Sequence, residues 1–145
     1  MNPFEQLIAA LSQSLGISLQ TEKGTICKLL IHESLKVQLE YEPSFERILI
    51  ACFICELPPG KFREDVLKEA LKANDSLTRL GTFGYSEKNN SLAYFLYVSE
   101  KKDANAISEI LMRFAETADV WKKAIESGQL YLVTQETRSQ FPSPF

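Results

Sequence analysis

Cys52-Phe53-Ile54-Cys55 has the spacing in this chain most suggestive of chemistry, because two thiols three positions apart form dithiol redox sites and half of many zinc sites. The setting suits neither. A redox pair wants its first sulfur at a helix amino terminus, where the backbone dipole lowers the thiol pKa, and these two lie in an apolar run that reads as a strand. Side chains three apart on a strand point to opposite faces and do not close on one ion. Cys27 alone does not complete a four-ligand set, and His32 is the single histidine. The cysteines therefore read as small buried apolar side chains, and neither a metal nor a cofactor is expected.

The other polar groups fare no better. His32 could act as a base for Ser34, but no third group is placed to orient the imidazole, and the segment reads as a hairpin turn. Glu40 with Glu42, and Glu64 with Asp65, are surface carboxylates without the desolvation that tunes an acid for proton transfer. Gly81-Thr82-Phe83-Gly84 lacks the Gly-Lys-Ser/Thr ending of a phosphate loop, so its glycines read as places where a strand bends or another backbone comes close. No catalytic residue is assigned, and the chain is not expected to be an enzyme.

The elements that carry these residues follow from periodicity. Phe4, Leu7, Ile8, Leu11 and Leu15 recur at helical spacing between Pro3 and Gly16, predicting a first helix over 3–15. After a polar turn at 20–24, strand-like runs cover 25–32, 35–41 and 47–57, joined by links short enough for an antiparallel meander. The second alternates, Leu35, Val37, Leu39 and Tyr41 on one face and Lys36, Gln38, Glu40 and Glu42 on the other. The third is apolar on both faces through Ile48-Leu49-Ile50-Ala51-Cys52-Phe53-Ile54-Cys55, so each face needs a cover. Pro58-Pro59-Gly60 ends it, and a second helix follows over 61–74. Runs at 77–85 and 91–98 form a hairpin around 87–90, and Asp103 caps a third helix reaching Ser127 with Gly128 past its end.

Helix, three strands, helix, two strands, helix is an α+β order with a mostly antiparallel sheet packed by helices. The reading is one domain over 1–128 and a tail over 129–145, its Phe141-Pro142-Ser143-Pro144-Phe145 end expected to be disordered, with docking of its aromatics the alternative. With 145 residues, 45% of them hydrophobic and 24% charged, the chain is globular in composition. Such a length buries roughly 70% of the unfolded surface without disulfides. Three cysteines, no apolar run near the ~20 residues of a membrane span, and no basic leader predict a cytoplasmic protein without membrane insertion. The formal charge of −3 has the wrong sign for nucleic acid. Residues 1–57 hold seven acids against four bases while the remainder balances, a weak pointer to a basic or neutral protein partner there.

Several stretches together resemble a known family. They are Glu56-Leu57-Pro58-Pro59 leading into the helix with Leu67, Leu71, Ala73 and Asn74, then Leu80, Gly81, Gly84, Leu92 and Leu96, and a closing helix with Phe114, Ala118, Trp121 and Ile125. In this order and spacing, over residues 1–127, the chain resembles the class I type III secretion chaperones, the Tir chaperone-like family of bacterial effector chaperones. The resemblance implies a bacterial cytoplasmic protein that holds a secreted effector or gatekeeper protein export-competent without ATP, by wrapping an extended segment near the cargo's amino terminus around a dimer. The dimer is usually a homodimer, and pairing with a second chaperone stays open.

It implies a dimer interface on the second helix and the following strand, here Val66, Leu67, Ala70, Leu71, Leu77, Leu80 and Phe83. It places the cargo groove by the first helix and first strands, with Phe4, Leu7, Ile8, Leu11, Leu29, Ile31, Leu35, Val37 and Leu39 as candidates. A charge at Leu11 is then expected to weaken cargo binding more than assembly, and a charge at Leu71 or Leu80 to disturb assembly. The alternative is a small α+β ligand-binding domain or hydrolase using an apolar groove as its pocket.

Overall fold

The computed structural model describes residues 1–133. Its elements are α1 (Pro3–Leu15), β1 (Thr21–Glu22), β2 (Ile26–Ile31), β3 (Leu35–Glu42), a 3-10 turn (Pro43–Phe45), β4 (Arg47–Glu56), α2 (Lys61–Asn74), β5 (Thr82–Ser86), β6 (Ser91–Ser99) and α3 (Ala104–Ser127). The six strands lie in the order β1-β2-β3-β4-β6-β5, and the α+β antiparallel reading holds. The chain divides into two compact units, Met1–Cys52 with Phe95–Ala115, and Phe53–Tyr94 with the residues from Glu116 on.

In the first unit, α1 starts where its capping chemistry dictates. Glu5 N–H donates to Asn2 Oδ1 at 2.7 Å and Asn2 N–H donates to Glu5 Oε1 at 3.1 Å, a reciprocal box worth about 1 kcal/mol. The Asn2 Nδ2 also donates to Gly24 O at 2.9 Å, which pins the helix start to the turn between β1 and β2. Phe4, Ile8 and Leu11 are buried, and Phe4 stacks on Tyr41 of β3 with centroids 5.6 Å apart. The β2–β3 register sets Cys27, Leu29 and Ile31 opposite Leu39, Val37 and Leu35, all buried. The β3–β4 register continues the layer with Val37 opposite Cys52 and Leu39 opposite Ile50.

The hairpin between β2 and β3 turns through His32 and Glu33, both at positive φ (55° and 63°), with Ser34 N–H donating to Ile31 O at 3.3 Å. This is the pattern of a type I′ turn, which ordinarily selects Asn and Gly. A non-glycine residue there costs roughly 1–2 kcal/mol, partly offset by glycine's larger unfolded-state entropy. Replacing the exposed Glu33→Gly is therefore expected to raise stability by about 0.5–1 kcal/mol, read as a higher urea midpoint at unchanged slope.

In the second unit, Phe83 of β5 packs against Tyr94 of β6 and Trp121 of α3, with centroids 4.5 and 4.4 Å away. The start of α3 belongs to the first unit, where Asp103 Oδ1 accepts from Ala106 N–H at 2.8 Å, and its end to the second, where Gly128 follows at φ 70°. Ile107, Leu111, Phe114, Ala118, Trp121 and Ile125 line that helix's buried stripe. Beyond it, residues 131–133 are helical with Val133 buried, and the rest of the expected tail, 134–145, lies outside the described residues. Among the described residues no helix is long and apolar enough to cross a membrane.

Two sequence expectations change. The stretch read as a polar turn contains the short strand β1, pairing Thr21 with Cys27 and Glu22 with Ile26. And β5 begins at Thr82 rather than Leu77. The preceding residues are held in a turn by Ser76, whose Oγ accepts from Thr78 N–H at 3.3 Å and bonds the Thr78 hydroxyl at 3.1 Å, while Arg79 Nη1 donates to Ser76 O at 3.2 Å. Leu77, counted into that strand, is 98% exposed.

Candidate functional site

The Cys52 and Cys55 side chains lie on opposite faces of β4, one buried and one half-buried. Burial first, then the charge of Glu126, raises the Cys55 thiol pKa, with Lys122 opposing. Burial and then Glu22 raise that of Cys27. Both shifts run against thiolate chemistry. Among the described residues, no group of three His, Cys, Asp or Glu side chains gathers to hold a metal. The surfaces that remain are apolar ones.

Of the nine groove candidates, Phe4, Ile8, Leu11, Leu29, Ile31, Leu35, Val37 and Leu39 are buried in the core of the first unit, and Leu7 is half-buried. Eight of them are thus shielded from solvent in the chain by itself. The accessible apolar side chains of this unit include Leu30 of β2, 54% exposed, along with Ile17, Met112, Phe45 and Tyr97. Between the last two sits Arg47, its guanidinium 4.5 Å from the Phe45 ring centroid and 3.8 Å from that of Tyr97, close enough for cation–π attraction to both. Two hydrogen bonds to Glu42 Oε1, at 2.9 and 3.1 Å, fix the guanidinium. Nearby, Tyr41 OH donates to Glu100 Oε2. That bond, then burial and the charges of Glu100 and Glu46, raise the tyrosine's pKa.

Main-chain geometry adds a second feature. Tyr41 N–H donates to Thr25 O at 2.7 Å, so the alternation of an antiparallel ladder turns Cys27, Leu29 and Ile31 toward β3. The N–H and C=O of Leu30 then face away from β3. β1 matches β2 only at Ile26 and Cys27, so among the described residues no strand lies beyond Leu30. The first unit therefore ends in an open sheet edge beside an exposed leucine.

The seven interface candidates divide differently. Val66, Ala70 and Phe83 are buried, Leu67 and Leu80 half-buried, and Leu71 and Leu77 exposed, Leu71 at 69%. Leu67, Ala70, Leu71, Asn74, Phe83 and Leu92 line much of an apolar recess of about 180 Å³ between α2 and β5. α2 is fastened to β5 near both ends. Arg63 Nη1 donates to Tyr85 OH at 3.0 Å, and Asn74 bonds the Phe83 main chain twice, Nδ2 donating to Phe83 O at 2.9 Å and Phe83 N–H donating to Oδ1 at 2.7 Å.

A sequence model of this α+β arrangement, matching residues 6–122, decides the kinship. The chain belongs to the Tir chaperone protein (CesT) family. This is a family of type III secretion chaperones. Solved relatives share the fold at low identity. A chain of the HopA1–SchA chaperone–effector complex is 19% identical with a TM-score of 0.70, covering 84% of this chain and 94% of that one. In the ExsC–ExsE complex the values are 18%, 0.64, 83% and 92%. In the ExoT–SpcS complex from Pseudomonas aeruginosa they are 14%, 0.62, 82% and 97%. No curated protein sequence matches the chain.

Against this Tir chaperone family fold, residues that sequence reading passed over stand out. Leu30 was countable, since it is an apolar residue at an outward position between Lys28 and His32. Arg47 carried no local signal, because its aromatic neighbours come from the 3-10 turn and from β6. Asn74 reads in the sequence as a helix stop and as part of the family resemblance, with no sign of its bonds to β5.

Proposed function

We propose that this chaperone acts in the bacterial cytoplasm, without ATP or catalysis, by taking an extended segment near the amino terminus of a secreted effector or gatekeeper protein as an added strand on the open edge of β2. The observation that carries the reading is the Leu30 main chain facing an edge with no further strand among the described residues, next to an exposed apolar side chain. Strand addition suits such a cargo, because main-chain hydrogen bonds give affinity whatever the sequence, and alternate side chains seat in neighbouring apolar surface. Ordering an unfolded segment costs entropy, which calls for the further contacts that Leu7 and the Phe45–Arg47–Tyr97 platform supply. The buried groove candidates then act as the floor that holds α1 and β2 in place.

The same reading makes the functional unit a dimer, with Leu71, Leu77 and the recess between α2 and β5 as its contact surface. A homodimer is the simplest form, because the recess and the exposed Leu71 lie on one surface and can serve each other across a two-fold axis.

The test is Leu30→Pro, which removes an outward N–H on an edge where proline is tolerated. The chain is expected to keep its fold and its oligomeric mass, while affinity for the cargo's amino-terminal segment, measured by calorimetry, falls about tenfold or more. Unchanged affinity in a folded Leu30→Pro protein would move the cargo to another surface.

A further inference from the structure

The sheet has two ends, and they are finished differently. β5 closes the order opposite β1. A strand ending a sheet presents unpaired N–H and C=O groups to any polypeptide that can add there, and natural proteins blunt such edges. At β5 the blunting group is one side chain. The Asn74 amide gives Phe83 both a donor to its C=O and an acceptor for its N–H, at 2.9 and 2.7 Å, which are the two bonds a neighbouring strand would make to that residue. Because Phe83 directs both groups to Asn74, they face α2 and not β6. The carboxamide is a one-residue mimic of a pairing strand, held in place because Asn74 ends α2 while Arg63, near the start of that helix, grips Tyr85.

We propose that Asn74 closes the Phe83 position of the β5 edge to strand addition, so that cargo adds at the open Leu30 position of β2 and not there. This rests on the strand-addition reading above for its consequence, though not for the closure itself. An asparagine is well chosen for the task, since a leucine of similar size offers neither bond and an aspartate offers only the acceptor. Closure also bears on assembly. With Phe83 already satisfied, copies meeting at α2 and β5 join through side chains rather than by running their sheets together.

Amide hydrogen exchange and sedimentation of the full chain test this, with the chain itself as the strand-donating probe. In the unchanged protein the Phe83 amide is expected to exchange at least about tenfold more slowly than the Leu30 amide, which has no partner strand among the described residues. In Asn74→Leu the Phe83 amide speeds up by a similar factor, and assemblies heavier than the unchanged protein's form. Adding Tyr85→Pro, which puts a ring and no N–H beside the reopened position, reverses the excess mass. Asn74→Asp, the milder change, keeps the Phe83 amide slow, because the carboxylate still accepts from it, and gives a readable result if the leucine variant does not fold.

A Phe83 amide as fast as Leu30's in the unchanged protein would overturn the proposal, as would an Asn74→Leu protein of unaltered exchange and mass. Failure of the Leu30→Pro test would remove the cargo reading while leaving these results to stand on their own.

Discussion

Leu11→Asp is expected to abolish the folded state rather than to weaken cargo binding selectively. Leu11 is 0% exposed, on the face of α1 that also buries Phe4 and Ile8. Truncating such a leucine costs about 2–5 kcal/mol through lost transfer energy and the cavity left behind. Aspartate adds a carboxylate to this apolar layer, and an unpaired buried charge either stays costly or takes up a proton. Against a typical domain stability of about 5–15 kcal/mol, the sum removes most or all of it. Circular dichroism followed on heating should show no cooperative transition, whereas Leu11→Met, which conserves volume, should lose less than about 1.5 kcal/mol. A Leu11→Asp protein melting where the parent does would place that side chain outside the core. On α1, the half-buried Leu7 is the place to ask about cargo.

Leu71→Asp has the opposite signature, a folded chain that no longer assembles. With 69% of Leu71 exposed in the single chain, the substitution removes little internal packing, and the cost to the protomer should stay within about 0.5 kcal/mol. At an apolar contact between copies the carboxylate is desolvated beside Leu67 and the rim of the recess, weakening association by a factor on the order of 100 or more. Sedimentation equilibrium reads this as a fall to the mass of one chain at micromolar concentration, with the far-ultraviolet spectrum unchanged. Retained double mass would shift the interface away from α2. Leu77, almost wholly exposed on the turn before β5, should respond in the same direction and less strongly, since it is not among the residues lining the α2–β5 recess.

Much of the fold was legible because local chemistry and long-range packing agreed. The bounds of α1 and α2 follow from a cap or breaker at each end and an apolar stripe between, and the structure gives the same residues. β1 was not legible, since two residues hold no period and the strand exists only through pairing with Ile26 and Cys27. The start of β5 was misplaced because the Ser76 hydroxyl builds a turn out of residues whose composition looks extended.

The surfaces were harder for one physical reason. Periodicity finds the side of an element that is buried, so the stripes Phe4, Ile8, Leu11 and Leu29, Ile31 identify core before they identify a groove. Exposed apolar residues such as Leu30, Leu71 and Leu77 are what the stripes leave out. The Asn74–Phe83 pairing spans nine residues and depends on where a helix end meets a strand, which no local pattern encodes.

The state of the thiols has a practical side. Cys27 and Cys52 are shut inside, and Cys55 is half-covered with its ionisation delayed, so maleimide and other thiol-directed dyes meet little competition from the natural cysteines near neutral pH. A fluorophore carried on a cysteine introduced at position 77, on the exposed turn before β5, would report chiefly from that one place, with Cys55 the one natural thiol among the three to control for.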